Sequence, residues 1–219
     1  MPVRKVSFFP EEFYHIYNRG NSRQAIYKTE ADYDRFMTQL YIANGTNSLD
    51  FRRINQEELF KSDRGEQQVA IGAYCLMPNH FHILVTPLVE NGVTTFMRKL
   101  TTGYSMYFNK KHFRTGSLFE GRFKSEHVDD DNYLKYLFSY IHLNPVKLIQ
   151  SDWQQVGIKN KNEVSKYLKD FRYSSYCDNG SVRPESAILE KGKFPEYFSN
   201  KNDYDTEMEE WLNFKRDFA

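Results

Sequence analysis

The most constraining feature of the sequence is a pair of β-forming runs joined by a very short connection. Residues 68–76 (QVAIGAYCL) and 80–86 (HFHILVT) are rich in apolar, β-branched and aromatic side chains. Only Met77-Pro78-Asn79 separates them, and proline and asparagine are typical turn residues. The sequence therefore predicts a β-hairpin near the middle of the chain.

Strand and helix signals on both sides place this hairpin in a longer pattern. The other predicted elements are a strand at 13–18, a helix from Thr29, a helix at 93–113, a strand at 118–128, and a helix from Asp129 or Asp130 to about Leu143. The first six elements, in the order β-α-β-β-α-β, match a split β-α-β arrangement. We therefore expect an α+β, ferredoxin-like fold with an antiparallel four-stranded sheet, helices on one face, and an extra C-terminal helix packed beside it.

Composition sets the broad class of protein. The chain has 219 residues, of which 40% are hydrophobic, so a packed core is expected rather than disorder. We expect one main domain over residues 1–149 and an appendage with an acidic tail over 150–219. Two cysteines give no disulfide framework or zinc spacing, and no apolar run is long enough for a signal peptide or a membrane span. A cytoplasmic location is the natural expectation.

Two histidines in the second strand of the hairpin are candidate metal ligands. His80 and His82 are two residues apart, so both side chains leave the same face of a strand. Phe81, Ile83 and Val85 then point to the other face, into the core. A short His-x-His motif is common by itself, and two surface or internally hydrogen-bonded histidines are the alternative. The pair becomes informative only with a further ligand and a chemical partner.

The last predicted helix carries a candidate chemical partner. Its apolar stripe consists of Leu134, Leu137, Phe138 and Ile141. Tyr133, Tyr140 and Asn144 lie together on a flank of that stripe, where a hydroxyl and an amide oxygen could meet the histidines. The alternative is that the tyrosines are half-buried aromatics and that Asn144, before Pro145, simply ends the helix.

A segment rich in basic and aromatic residues is a candidate nucleic-acid surface. Between Arg98 and Lys124 lie seven basic residues and one acidic residue, although the overall net charge is only +1. A basic groove with stacking rings is typical of proteins that bind single-stranded nucleic acid, whereas the alternative is an ordinary solvated helix end and loop. On the predicted fourth strand, Arg122 and Lys124 would share one face. The residues expected to contact DNA are Arg19, Arg23, Arg98, Lys110, Lys111, Arg114, Arg122 and Lys124.

The acidic tail has the opposite charge. Its acidic residues are Asp203, Asp205, Glu207, Glu209 and Glu210. A solvated amphipathic end is one interpretation. The other hypothesis is that the tail covers the basic groove when DNA is absent, because the opposite charges are segregated along the chain.

Four segments in this order carry a specific family resemblance. They are Tyr14–Gly20 (YHIYNRG), Leu76–Leu84 (LMPNHFHIL), Ser117–Lys124 (SLFEGRFK) and Tyr140–Lys147 (YIHLNPVK). Through them the sequence resembles the REP-associated tyrosine transposases, single-tyrosine enzymes of the HUH superfamily of single-strand endonucleases.

The resemblance implies a set of roles for the site residues. It implies that His80 and His82 bind a divalent metal, Mg²⁺ or Mn²⁺, and that Tyr140 is the nucleophile, with Tyr133 the second choice. The third metal ligand of related enzymes falls on Asn144, a position that is often glutamine in the wider superfamily. It further implies nicking and rejoining of single-stranded, hairpin-forming DNA through a 5′-phosphotyrosine, by a monomer or a homodimer.

Three other functions fit the same residues. The first is a non-catalytic or domesticated protein that binds single-stranded nucleic acid on the same fold, which would not need His80, His82 and Tyr140 to converge. The second is a metal-dependent hydrolase in which water attacks and no covalent adduct forms. The third is a related replication or plasmid-mobilising nickase, which differs only in the DNA that it cuts.

Overall fold

The computed structural model describes residues 7–49, 54–179 and 183–196. Its strands and α-helices are β1 (Phe13–Arg19), α1 (Glu30–Ala43), α2 (Gln56–Leu59), β2 (Val69–Met77), β3 (His80–Pro87), α3 (Gly92–Lys111), β4 (Lys124–Val128), α4 (Asp131–Leu143), α5 (Trp153–Val156) and α6 (Lys161–Asp170). Short 3₁₀ helices lie at Asn21–Arg23, Asn144–Leu148, Ser175–Asn179, Pro184–Ile188 and Lys191–Lys193.

The sheet has the strand order β2-β3-β1-β4, and each neighbouring pair is antiparallel. This order is produced when two β-α-β units interleave, so the predicted ferredoxin-like α+β fold is confirmed. The predicted hairpin is also present, since Met77 on β2 pairs with His80 on β3 across the Pro78-Asn79 turn. The two central strands are therefore β3, with the histidine pair, and β1.

The two faces of the sheet pack against different helices. On one face, α1 and α3 cover a large apolar cluster that contains Phe81, Ile83 and Val85, all fully buried as predicted. On the opposite face, α4 packs through Leu134, Leu137 and Ile141 against a smaller cluster on β2 and β3. Asp130 begins α4 by accepting a hydrogen bond from the backbone N–H of Tyr133, at 2.8 Å. The extra helix therefore lies across the face that carries the histidines.

The fourth strand is shorter than predicted. It begins at Lys124 rather than near residue 118, because the preceding segment turns at Gly121, where φ is 76°. Before that turn, the backbone N–H of Glu120 donates to the carbonyl of Arg19 at 2.9 Å. Arg122 thus lies outside the strand, and the prediction that it shares a strand face with Lys124 is wrong.

Residues after α6 return to the sheet. The backbone N–H of Leu76 donates to the carbonyl of Tyr173, and that of Glu190 donates to the carbonyl of Ile71, both at 2.9 Å. Phe194 then packs in the apolar cluster beneath α4. The domain boundary at 149/150 stays a prediction, and the acidic residues of the tail lie outside the described residues. None of the helices in the described residues combines the length and the apolar composition that a membrane span needs.

Candidate active site

The candidate site lies between α4 and the face of the sheet that it covers. Antiparallel neighbours share a face, so the pairing of His82 with Tyr17 and of His15 with Glu126 places these four side chains on the same side as His80. Tyr140 approaches this group from α4. Helix α4 and the three adjacent strands β3, β1 and β4 therefore all contribute side chains to the same site.

The tyrosine ring contacts the imidazoles edge-on. The ring centroid of Tyr140 is 5.6 Å from that of His82 and 6.3 Å from that of His15. The rings of His80 and His82 are 5.1 Å apart and perpendicular. His80, His82 and Tyr140, which lie far apart along the chain, thus come together as the sequence suggested.

Each histidine of the pair has a polar partner at its Nδ1 atom. His80 Nδ1 lies 2.6 Å from the side-chain oxygen of Asn79, whose amide nitrogen donates to the carbonyl of Arg23. His82 Nδ1 lies 2.8 Å from Nε2 of His15. Partners of this kind orient a histidine and fix which ring nitrogen is available to a ligand.

Asn144 and Lys147 lie immediately after α4, on the same side as Tyr140. The amide nitrogen of Asn144 donates to the carbonyl of Tyr140 at 2.9 Å, and its oxygen accepts from Lys147 at 3.4 Å. Asn144 is only 1% exposed. The ammonium of Lys147 lies 5.4 Å from the centre of the Tyr140 ring. The structure thus places Asn144 beside the proposed nucleophile, and its assignment as third ligand stays a prediction.

Glu126 connects the tyrosines and His15 at the outer strand of the sheet. Its carboxylate accepts from Tyr17 at 2.7 Å and from Tyr133 at 3.5 Å, and it lies 3.8 Å from Nδ1 of His15. Burial and the carboxylate raise the pKa of Tyr17 to about 12. Tyr133, the second choice of nucleophile, therefore contacts Glu126.

Burial keeps the histidines of the site neutral at neutral pH. It lowers the pKa of His15 to about 4 and that of His80 to about 4, the latter helped by the positive charge of Lys147. Burial and the neighbouring histidines also hold the pKa of His82 well below its usual value. Neutral imidazole is the form that ligates metal ions.

The donor chemistry fits a divalent cation. Two neutral imidazoles, each with Nδ1 already engaged, suit Mn²⁺ and other transition ions better than Mg²⁺, which prefers oxygen. Among the residues that the structure describes, no group of three or more His, Cys, Asp or Glu side chains could hold a metal. Further ligands would therefore come from an amide, water or the substrate.

The predicted DNA-contacting residues do not form one groove. Arg19 and Lys124 lie on the face that carries the histidines, because Arg19 pairs with His80 and Lys124 pairs with Tyr17. Arg19 also forms a salt bridge with Glu120. Arg23 is exposed in the turn after β1. Lys110, Lys111 and Arg114 are at the far end of α3, and Arg98 and Arg122 line a cavity on the opposite side of the sheet.

That cavity, of about 930 Å³, lies between α3 and residues 116–123. Its floor includes Asn18, which shares the face of the apolar core, and its walls carry hydroxyl, amide and aromatic groups. Lys111 is not part of it. Instead, its ammonium lies 2.9 Å from the fully buried carboxylate of Asp32, an ion pair that joins α3 to α1.

Sequence reasoning missed His15, Asn79, Glu126 and Lys147. All but Glu126 lie within the four family-like segments, so a signal was present for them. The sequence carried no signal for Glu126, because only the register between β1 and β4 places it opposite His15. His142, also on α4, is buried and lies 2.7 Å from the hydroxyl of Ser175, and burial lowers its pKa to about 3.

Comparisons with known proteins show the family and support the fold. A family model described as "Transposase IS200 like" matches residues 13–144. No curated protein matches the chain. A solved structure described as that of a REP-associated tyrosine transposase bound to a REP hairpin is similar, with a TM-score of 0.51 and 14% identity over 91% of this chain and 92% of that chain. At this identity the structural likeness shows the fold, whereas the family model covers more than half of the sequence. The chain therefore belongs to the family of IS200-like transposases.

Proposed function

We propose that this transposase nicks and rejoins single-stranded DNA through a covalent bond between Tyr140 and the 5′ side of the break. The observation that carries the proposal is the convergence of the Tyr140 ring with the imidazoles of His80 and His82 on one face of the sheet. A module that only bound nucleic acid would not need these three side chains to meet.

The reaction needs one bond to form and one to break. The phenol of Tyr140 loses its proton, its oxygen bonds to the phosphorus, and the bond from phosphorus to the 3′ oxygen breaks. The departing oxygen takes up a proton and becomes a free 3′-OH. Because the phosphotyrosine ester retains the energy of the broken bond, a 3′-OH of another strand can attack it and release Tyr140.

Lys147 is placed to assist this step. Its ammonium lies 5.4 Å from the centre of the Tyr140 ring, and it donates to Asn144 one turn after the tyrosine. A positive charge at this place favours the ionised phenol over the neutral one. It also favours approach of a phosphodiester, which is negatively charged.

His80 and His82 would hold the divalent cation, and Asn144 is the candidate third ligand. When bound, such a cation neutralises charge on a phosphate oxygen and orients the phosphate. The side-chain oxygen of Asn144 accepts a hydrogen bond from Lys147 in the structure. This hydrogen bond would have to break or lengthen before the oxygen could bind the cation. Mn²⁺ or Mg²⁺ is the proposed ion.

The proposed substrate is a single strand that folds into a hairpin. The similar solved structure is described as bound to a REP hairpin, which makes DNA of that shape the first choice for this chain. The cavity beside α3 supplies polar groups, aromatic rings and two arginines, as expected for a surface that binds unpaired bases and phosphates. We propose that Arg98 and Arg122 contact the DNA there.

The nucleophile is tested by trapping the covalent adduct. The protein is incubated with a labelled single-stranded hairpin and Mn²⁺, and the adduct is detected on a denaturing gel. We expect an adduct with the unmodified chain and with Tyr133→Phe, a matched variant about two turns before Tyr140 on α4, and none with Tyr140→Phe. An adduct that persists in Tyr140→Phe would exclude Tyr140, and cleavage without any adduct would indicate attack by water.

The metal site is tested by the same assay. We expect the double variant His80→Ala, His82→Ala to lose adduct formation and Mn²⁺ binding, because the cation loses both imidazole ligands. The matched control is His127→Ala, on β4 but on the other face of the sheet. Unchanged cleavage by the double variant would show that the histidines hold no catalytic metal.

A further inference from the structure

A line of contacts leads from the histidine pair to a carboxylate at the outer strand of the sheet. His82 Nδ1 lies 2.8 Å from His15 Nε2, and His15 Nδ1 lies 3.8 Å from Glu126. The three residues lie on the same face of β3, β1 and β4, with His15 directly opposite Glu126 and diagonal to His82. The rings of His15 and His82 are stacked, with centroids 5.0 Å apart, and both residues are buried.

Two arrangements of protons are possible along this line. A neutral imidazole has one N–H, so only one of the two facing nitrogens carries the hydrogen. If His82 Nδ1 donates to His15, then His82 Nε2 has a free lone pair and His15 Nδ1–H faces Glu126. If His15 Nε2 donates instead, His82 carries its proton on Nε2 and cannot ligate a cation through that atom.

Glu126 distinguishes the two arrangements. Its carboxylate accepts hydrogen bonds from the hydroxyls of Tyr17 and Tyr133 and so remains an acceptor toward His15. An N–H of His15 facing it is attracted, whereas a ring lone pair facing it is repelled. The first arrangement is therefore favoured, with the hydrogen of His82 on Nδ1.

His80 reaches the same tautomer by a separate route. The oxygen of Asn79 can only accept, and the Asn79 amide is oriented by donating to the carbonyl of Arg23 at 3.2 Å. His80 Nδ1, at 2.6 Å from that oxygen, is therefore the donor. Both histidines are then left with Nε2 as the nitrogen that can bind a cation.

We propose that Glu126 and His15 are positioning residues that hold His82 in the tautomer whose Nε2 binds the catalytic cation. The proposal rests on the metal site of the proposed function and adds to it two residues that do not themselves ligate. Contacts that fix the tautomer of a ligating histidine typically change metal affinity by about 10- to 100-fold when removed.

The proposal is tested on the whole chain by two measurements that do not depend on activity. ¹⁵N NMR of histidine-labelled protein reports which ring nitrogen of His82 carries the hydrogen, and titration calorimetry reports the Kd for Mn²⁺. For His15→Leu we expect a mixed tautomer at His82 and Mn²⁺ binding about 10- to 100-fold weaker. For His15→Gln we expect binding near that of the unmodified chain, because the amide can accept from His82 and donate toward Glu126.

Glu126→Gln provides a variant at an exposed position, where folding is not at risk. We expect it to shift the His82 tautomer and to weaken Mn²⁺ binding less than His15→Leu does. The matched control is His127→Gln, which removes another histidine–glutamate pair, with Glu12 at 2.7 Å, from the other face of β4. Mn²⁺ binding should not change in this control.

The proposal is overturned if His15→Leu, folded as judged by its melting temperature, keeps the Nδ1–H tautomer and the Mn²⁺ affinity of the unmodified chain. It is also overturned if His15→Gln is as impaired as His15→Leu. Failure of the proposed function has a different signature, since the unmodified chain would then form no covalent adduct with hairpin DNA or bind no Mn²⁺ at all.

Discussion

The two faces of the sheet differ although alternate residues of the same strands build them. On the face covered by α1 and α3, Phe81, Ile83 and Val85 are fully buried in a continuous apolar cluster. On the face covered by α4, the intervening positions of β3 carry His80 and His82, and polar groups from β1 and β4 surround them. One face thus holds the fold together, and the other holds titratable groups at fixed positions.

This difference teaches how a buried polar site is maintained. Burying imidazoles costs free energy, because desolvation disfavours their charged form. The protein tolerates this cost because the apolar cluster on the other face of the sheet keeps the strands in place. The site can therefore be changed without unfolding the protein, and the core can be weakened without removing the chemistry.

Neighbouring substitutions on β3 should separate the two faces most clearly. For Ile83→Ala we expect a loss of about 2–5 kcal/mol in the free energy of unfolding, because a fully buried side chain leaves a cavity. For His82→Ala we expect a smaller loss of about 1–3 kcal/mol, because buried His15 loses its hydrogen-bond partner. Adduct formation should fall by at least about 100-fold, because a metal ligand is removed. Urea unfolding and the adduct assay measure the two effects. Equal effects of both variants on both quantities would contradict the separation.

A second contrast lies between adjacent lysines of α3. For Lys111→Met we expect unfolding to become easier by about 1.5–3 kcal/mol, because the buried carboxylate of Asp32 loses a charged hydrogen-bond partner. For Lys110→Met, a matched change at an exposed position, we expect a change within about 0.5 kcal/mol. Thermal unfolding of both variants measures this, and equal stability of the two would show that the ion pair does not join α1 to α3.

Acid should weaken the α4 side of the molecule through His142. Burial lowers its folded pKa to about 3, so below the unfolded value of about 6.5 the unfolded chain binds a proton that the folded chain excludes. Its contribution to the free energy of unfolding is therefore complete above pH 6.5 and falls by up to about 1.4 kcal/mol per pH unit toward pH 3. We expect a shallower pH dependence in His142→Gln, measured by urea unfolding at pH 4 to 7. An identical slope would remove His142 as a source of acid sensitivity.

The smallest effect is expected at the cavity beside α3. For Arg122→Ala we expect a several-fold loss of affinity for a single-stranded hairpin and a decrease of about 0.7 in the magnitude of the slope of log K against log salt, as for one lost phosphate contact. Fluorescence anisotropy at several salt concentrations measures both. The matched control is Lys61→Ala, a basic residue outside the cavity. An unchanged slope in Arg122→Ala would show that DNA does not contact this side of the sheet.

Local patterns in the sequence predicted most of the elements and the central pair of the site. Alternation along β3 placed the histidines opposite the apolar residues, and helical spacing placed Tyr140 on the flank of α4. These are properties of single elements, so a single sequence contains them.

The features that the sequence did not predict depend on how the strands and helices pack against one another. The register between β1 and β4 brings Glu126 to His15, and the turn at Gly121 removes Arg122 from the strand. Neither can be read from periodicity. The same limit explains why the basic residues, which are close together in sequence, are distributed over different parts of the structure.

The backbone contacts of β2 with residues 173 and 190 have a consequence for assembly. A strand at the border of a sheet offers unpaired backbone groups to which another chain can add. Here the carbonyl of Ile71 and the N–H of Leu76 are already bonded within the same chain. A second copy that added a strand beside β2 would have to displace this returning segment. The segment therefore opposes the growth of a continuous sheet from one chain to the next at β2.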